Sequence, residues 1–176
     1  TGIIGFLLYK IIKHYLLGSN QVVLWSLLIG GVLLIIFELL YKEKETATEE
    51  ITKLSWQKAF IIGIFQSLAI IPGISRSAAT IIGGLLMGLK RKTIVEFSFL
   101  LAVPTMLAAT GFDFIKNAGA FQANDFLLLA IGFLVSFLVA IFSIKFLLAF
   151  IKNHTFIWFG VYRIILVLFF WLVILR

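Results

Sequence analysis

The chain has 176 residues, of which 62% are hydrophobic and 13% charged, against roughly 45–50% and about 25% in soluble domains. A soluble fold of this size still leaves about 30% of its unfolded-chain surface exposed, so a mean hydropathy of +1.14 marks an integral membrane protein. Disorder, a nucleic-acid module and a secreted disulfide scaffold are excluded, and with no Cys thiol catalysis and thiolate metal sites go too; the net charge of +7 reads as interfacial charge that sets orientation.

Lipid offers no partners for backbone N–H and C=O groups, and strand-like alternation is absent, so the apolar runs are predicted helices. The chain opens at Thr1 without an initiator Met or a charged leader region. It is therefore expected to be cut at its N-terminus from a longer protein rather than to carry a signal peptide. Ile3–Leu17, broken by Lys10 and Lys13, reads as the end of a truncated helix, and Gly18-Ser19-Asn20 as a turn. Val22–Tyr41 is long enough to cross ~30 Å of hydrocarbon. Lys42–Lys53, KEKETATEEITK, is the one polar stretch and is expected to be a solvated loop.

Next come two short apolar runs, Phe60–Ile71 and Ala78–Leu89, separated by Pro72-Gly73 and a polar tip and closed by Lys90-Arg91-Lys92. Neither reaches the ~20 residues of a span. Together, residues 60–89 are predicted to form a re-entrant hairpin, since irregular backbone at membrane depth survives only against protein or a watery cavity. Interrupted segments of this kind point to a binding site. Ile94–Phe114, kinked at Pro104, then Phe126–Phe150 and Phe156–Leu175 complete the chain. The expected architecture is an all-α polytopic membrane protein. It is a single membrane domain over residues 1–176, with about five transmembrane helices plus the hairpin. Lys42, Lys44, Lys53, Lys58, Lys90, Arg91, Lys92 and Lys152 fall on one face, against Lys10, Lys13, Lys116 and Arg176 on the other. Eight against four makes the first face cytoplasmic and puts the C-terminus outside.

The chemistry concentrates at the hairpin tip, Ile71-Pro-Gly-Ile-Ser-Arg-Ser-Ala-Ala-Thr80. An Arg in an apolar region costs at least ~2.5 kcal/mol on insertion scales, so Arg76 needs an offsetting role. The second short helix starts near Ser75, where free N–H groups and the positive dipole end favour an anion. Arg76 adds an always-charged fork suited to phosphate oxygens. Ser75, Ser77 and Thr80 add hydroxyls, and Gly73 lets an anion approach the backbone. The bland alternative is an N-capping Ser75 with a snorkelling Arg76. Gln66 is equally compatible with a helix–helix hydrogen bond and a ligand contact. Thr93-x-x-Glu96 matches a capping box, and Glu96 pairing with a site cation or an Arg is its alternative. Glu38 is placed at the interface, with a pairing to Arg163 left open. His14 and His154 look interfacial and lack metal-ligand spacing, and no acidic pair suggests a metal cage.

With these residues in place, the stretch Gly63-Ile-Phe-Gln-Ser-Leu-Ala-Ile-Ile-Pro-Gly-Ile-Ser-Arg-Ser-Ala-Ala-Thr80 resembles the second signature of the bacterial undecaprenyl-diphosphatase, or bacitracin-resistance, family. Glu96-Phe-Ser-Phe-Leu-Leu-Ala-Val-Pro104 and Phe159-Gly-Val-Tyr-Arg163 resemble that family's next and last helices. The resemblance implies two inverted repeats, each with a re-entrant hairpin, of which this chain holds the second. It implies hydrolysis of undecaprenyl diphosphate to undecaprenyl phosphate, recycling the cell-wall lipid carrier at the bacterial inner membrane, with a site open to the outer face. It places the family's phosphate-binding Arg on Arg76 and its hydroxyls on Ser75, Ser77 and Thr80. It also implies a divalent cation, Mg or Ca. Two departures stand out: Ala78 replaces a frequent Gly, and the first signature, a Glu-rich helix with a Ser-Ser-Thr-Gly-His segment, is absent. The metal ligands and the nucleophile are expected there, so this chain supplies no metal ligand and on its own is expected to be inactive. Arg76, Ser75 and Ser77 are the expected catalytic residues; Gly73, Thr80 and Gln66 are expected to bind substrate. A transporter or flippase of an anionic lipid, and an anion-binding subunit, are the competing readings. The partners expected are a polyprenyl diphosphate and the bilayer, with no nucleic acid; a homodimer is left open.

Overall fold

The computed structural model describes residues 1–11, 16, 18–43, 47–48, 50–117, 119, 125–151 and 154–174. Helices make up the architecture. In chain order they are α1 (Gly2–Ile11), α2 (Asn20–Leu40), α3 (Trp56–Ser67), α4 (Arg76–Leu86), α5 (Arg91–Lys116), α6 (Asp125–Ile151) and α7 (Ile157–Ile174), with short 3₁₀ turns at Ile51–Lys53 and Leu68–Ile70. Among the described residues, α2, α5 and α6 are long and apolar enough to cross a membrane. The apolar α7, at 18 residues, lies at the short end of the ~17–25 a span requires. The chain is thus a polytopic helical membrane protein. Lys13, His14, Lys44, Lys152 and Arg176, used in reading orientation and interface, lie outside the described residues.

The hairpin boundaries follow from capping. Ser55 accepts from the Lys58 amide at 3.4 Å, so α3 begins at Trp56, four residues before the apolar run expected to start at Phe60. The helix then tightens into the Leu68–Ile70 turn and stops at Pro72, which cannot donate to it. Ser75 caps α4 in turn. The two arms pack against each other, and α4 packs on α5. A Cβ at Gly83 would meet the Phe65 ring of α3, and one at Gly84 would run into the Ile94 side chain of α5. Those glycines let α4 lie between its neighbours at backbone distance. The core that results holds Leu34, Ile62, Ile81, Leu85, Ile94 and Val95. In contrast, most of α6 is exposed: its most apolar stretch buries no residue, and Ile151 at its end joins the core; Phe133, Phe142 and Phe146 face outward, as lipid-facing side chains do.

Three local expectations are corrected. Residues 42–53 are not a wholly solvated loop: Thr48 forms a parallel bridge with Leu89, its amide donating to Gly88 O at 2.9 Å and its carbonyl accepting from Lys90 at 3.0 Å. Ala47 beside it is buried. Thr93 does not cap a helix. Helix α5 starts three residues earlier, after Lys90, which puts Thr93 inside the first turn and buries it, while Glu96 faces Lys92 at 3.8 Å. Glu38 does not pair with Arg163. It is buried, with Oε1 accepting from Arg91 Nη1 at 2.6 Å. The Arg91 guanidinium also lies 4.9 Å from the Phe156 ring centroid, a favourable cation–π contact. These contacts gather the end of α2, the end of α4 and the starts of α5 and α7 on one side. That is the side on which Lys42 and Lys90-Arg91-Lys92 were expected to lie together. There, burial foremost and then the charge of Glu43 raise the Tyr41 phenol above its usual pKa of 10.0, against an opposing pull from Arg91. The Tyr41 hydroxyl donates to Leu85 O at 2.9 Å.

Candidate anion site at the hairpin tip

The tip is built around one glycine. Gly73 sits at φ +92°, a backbone region that side chains disfavour. A Cβ there would also lie 2.6 Å from Val23 O and 2.9 Å from Ser26 Cβ. The turn therefore seats directly on the backbone of α2. Its carbonyl accepts from Arg163 Nη2 of α7 at 2.6 Å, and the same nitrogen lies 3.4 Å from Ser26 O. Three segments distant in sequence are joined by one guanidinium.

Beyond the turn, Ser75 accepts from the Ala78 amide at 3.3 Å and lies 3.1 Å from the Ser77 hydroxyl. Both hydroxyls, with Gly73, Ser98, Tyr162 and Arg163, supply the polar edge of a cavity of about 420 Å³. A second cavity, about 830 Å³, runs beside it along α2 from Ser26 to Tyr41, and its walls are almost wholly apolar. Ile74, Ser75, Ala78 and Arg163 line both. Two largely apolar cavities, the first with the Ser75 and Ser77 hydroxyls at its edge, thus meet at Ser75 and Arg163.

The other expected site residues are placed differently. Arg76 opens α4 and is half-buried; its Nη1 donates to Ser98 O at 3.4 Å, so it reaches the first cavity's rim through Ser98 rather than lining it. Thr80 is fully buried, with its hydroxyl 2.9 Å from Arg76 O one turn back and 3.4 Å from Gln66 Oε1. Gln66, also buried, donates to Thr1 Oγ1 at 3.2 Å. Neither Thr80 nor Gln66 lines either cavity; they tie the two arms of the hairpin together. Gly73 does line the first cavity, but the space beside it is taken by α2.

The residue not assigned from sequence is Arg163, 7% exposed. A charged side chain midway along an otherwise apolar helix is itself a signal of function, but its partner could not be read 90 residues away. Its Nε is buried and makes no hydrogen bond. Among the described residues no carboxylate pairs with Arg76 or Arg163; the acceptors of both are backbone carbonyls. Carbonyl dipoles satisfy hydrogen bonds without cancelling charge, so the tip keeps net positive charge in a poorly screened setting. No three His, Asp or Glu come together among the described residues. These residues therefore do not form the divalent-cation site that the resemblance implies. His154 is exposed, with its Nδ1 placed to donate to Phe150 O, 3.1 Å away, at the end of α6.

Comparison with known proteins identifies the family. The chain is 56% identical over 94% of its length to an undecaprenyl-diphosphatase of Sulfurihydrogenibium sp., covering 65% of that protein. It is 54% identical to the undecaprenyl-diphosphatase of Aquifex aeolicus, covering 64% of it, and 52% identical to that of Persephonella marina, covering 65%. The chain thus spans just under two thirds of the length of these relatives. Residues 1–169 match the family described as bacitracin resistance protein BacA. With its hairpin tip, its uncancelled arginines and this match along nearly its whole length, the chain belongs to the bacitracin resistance protein BacA family.

Proposed function

We propose that the protein carrying this chain hydrolyses undecaprenyl diphosphate to undecaprenyl phosphate and inorganic phosphate in the bacterial inner membrane, and so recycles the lipid carrier of cell-wall synthesis. The observation that carries this reading is the pair of guanidiniums, Arg76 and Arg163, left uncancelled beside the capped start of α4 and next to a long apolar cavity. A diphosphate needs positive charge that does not have to be stripped from a carboxylate first. Phosphoryl transfer spreads negative charge over the equatorial oxygens, so preorganised cations contribute most to lowering its barrier. In this reading Arg76, Ser75 and Ser77 contact the diphosphate, while the prenyl chain lies in the apolar cavity along α2. Thr80 and Gln66 act on substrate through the hairpin geometry they fix. The nucleophile and the ligands of a Mg or Ca ion belong to the part of the relatives this chain does not span. Hairpin, α2, α5, α6 and α7 together supply its half of an inverted-repeat fold.

The test is phosphate release from undecaprenyl diphosphate by the complete purified protein, with and without added Mg or Ca, beside its Arg76→Ala and Arg76→Lys variants. Cation-dependent release is expected, with loss of at least ~100-fold in Arg76→Ala, of the order that loss of a single transition-state donor costs. Arg76→Lys should lose most of it as well, because a point charge does not reproduce the planar fork. Failure of the wild-type protein to release phosphate under any cation would overturn the reading and favour an anion carrier instead.

A further inference from the structure

Arg163 reaches the tip from α7, outside the hairpin. Its guanidinium bonds the Gly73 carbonyl at 2.6 Å and lies 3.4 Å from the Ser26 carbonyl. It lines both cavities, and its Nε is buried without a partner. The neighbouring helices are shaped to admit it. A Cβ at Gly30 would lie 2.7 Å from Nη2 and 3.2 Å from Cζ, and a Cβ at Gly31 would lie 3.0 Å from Gly160 O. Small residues thus let α2 and α7 close to backbone contact, which brings the Arg163 head against α2 where the Pro72-Gly73 turn lands. An arginine that only balanced charge would have a carboxylate partner. One that only snorkelled would reach for the interface. This one reaches a carbonyl two residues from Ser75.

We propose that Arg163 is a positioning residue: through the Gly73 carbonyl it fixes the Pro72-Gly73 turn against α2 and thereby sets where Ser75, Ser77 and Arg76 stand around the anion. The proposal deepens the diphosphatase reading and rests on it for its kinetic part. Holding reacting groups to a fraction of an ångström is worth orders of magnitude in rate. The fork geometry matters because one planar group spans acceptors on two segments. Loss of Arg163 frees the turn while leaving in place Arg76, Ser75 and Ser77, the groups assigned to contact the diphosphate.

The experiment compares wild type, Arg163→Ala, Arg163→Lys and Gly30→Ala in the complete protein. Steady-state kinetics on undecaprenyl diphosphate are read beside backbone hydrogen exchange of the tip. Arg163→Ala should lower kcat at least ~100-fold with KM within about threefold. Arg163→Lys, which keeps the charge and one donor, should recover about tenfold of that loss. Gly30→Ala keeps the guanidinium but pushes on it, and should lower kcat about tenfold while retaining the fold, since Ala suits a helix. Gly132→Ala on α6, where a Cβ meets nothing within 4 Å, should match wild type. Exchange should rise at residues 73–77 in Arg163→Ala and Gly30→Ala and stay unchanged at 80–86. Three outcomes would overturn the proposal: a rise in KM alone, as for direct ligand binding; Gly30→Ala at the wild-type rate, as for a pure charge effect; or exchange raised throughout the hairpin, as for a structural role. If the wild-type protein releases no phosphate, the diphosphatase reading fails, and the exchange pattern alone decides whether Arg163 positions the tip.

Discussion

Two arginines meet α2 about 18 Å apart along its axis, at 1.5 Å per residue between Ser26 and Glu38, and they are treated in opposite ways. At one end Arg91 pairs with a buried carboxylate and packs on an aromatic ring. Its charge is cancelled where it sits, and the cluster serves to fasten α2, α5 and α7. About three turns back along α2, Arg163 meets backbone carbonyls as its acceptors and no carboxylate among the described residues. Its hydrogen bonds are satisfied in part and its charge is not. The difference teaches how one fold keeps an inert charge and an available one: what matters is whether the acceptor carries a formal charge, since both residues are buried or nearly so.

The largest effect expected from breaking this contrast is on stability at the Arg91 end. Glu38→Ala leaves Arg91 without its carboxylate partner, and should destabilise the protein by about 3–5 kcal/mol, read as a lower melting temperature in detergent. Replacing the pair together by Met and Leu should cost less than the single change, whereas equal losses would show that the cluster works by packing alone. Next in size, Gly73→Ala forces a side chain into a left-handed turn and into α2. A loss of about 1–3 kcal/mol should accompany loss of phosphate release, and retention of both would mean that the turn is not seated as described. Smallest in stability is the cap. Ser75→Ala should cost about 1 kcal/mol, but Ser75→Asp should keep the cap and still abolish activity, because it adds a negative charge to the anion site. An active Ser75→Asp variant would remove Ser75 from the site.

The hairpin was legible in the sequence because its signals are local: two short apolar runs, a Pro-Gly break and a serine before an arginine. The membrane class was legible from composition for the same reason. What escaped was every contact made at long range. Nothing in one apolar helix tells whether Arg163 answers Glu38, one turn from the end of α2, or a carbonyl at Gly73. Thr93 and Glu96 satisfied a capping pattern, yet Lys90 adopts the extended cap conformation three residues earlier, and a local rule could not see the α4–α5 junction that sets it. Thr80 was readable as a free hydroxyl. Its spacing of four from Arg76 was the overlooked signal, since a helical Thr readily bonds the carbonyl one turn back.

The hairpin is held at both ends by protein. Its tip rests on α2 and α7 through Gly73 and Arg163, and its far end is stitched to residue 48 through Gly88 and Lys90. Stretches of hydrocarbon that thin or thicken act on long helices by tilting them, at fractions of a kcal/mol per ångström of mismatch. A short element supported at both ends by its own chain has no lipid-set length to adjust. The proposed anion site is thereby insulated from bilayer thickness, and its geometry should be the same in membranes of quite different composition.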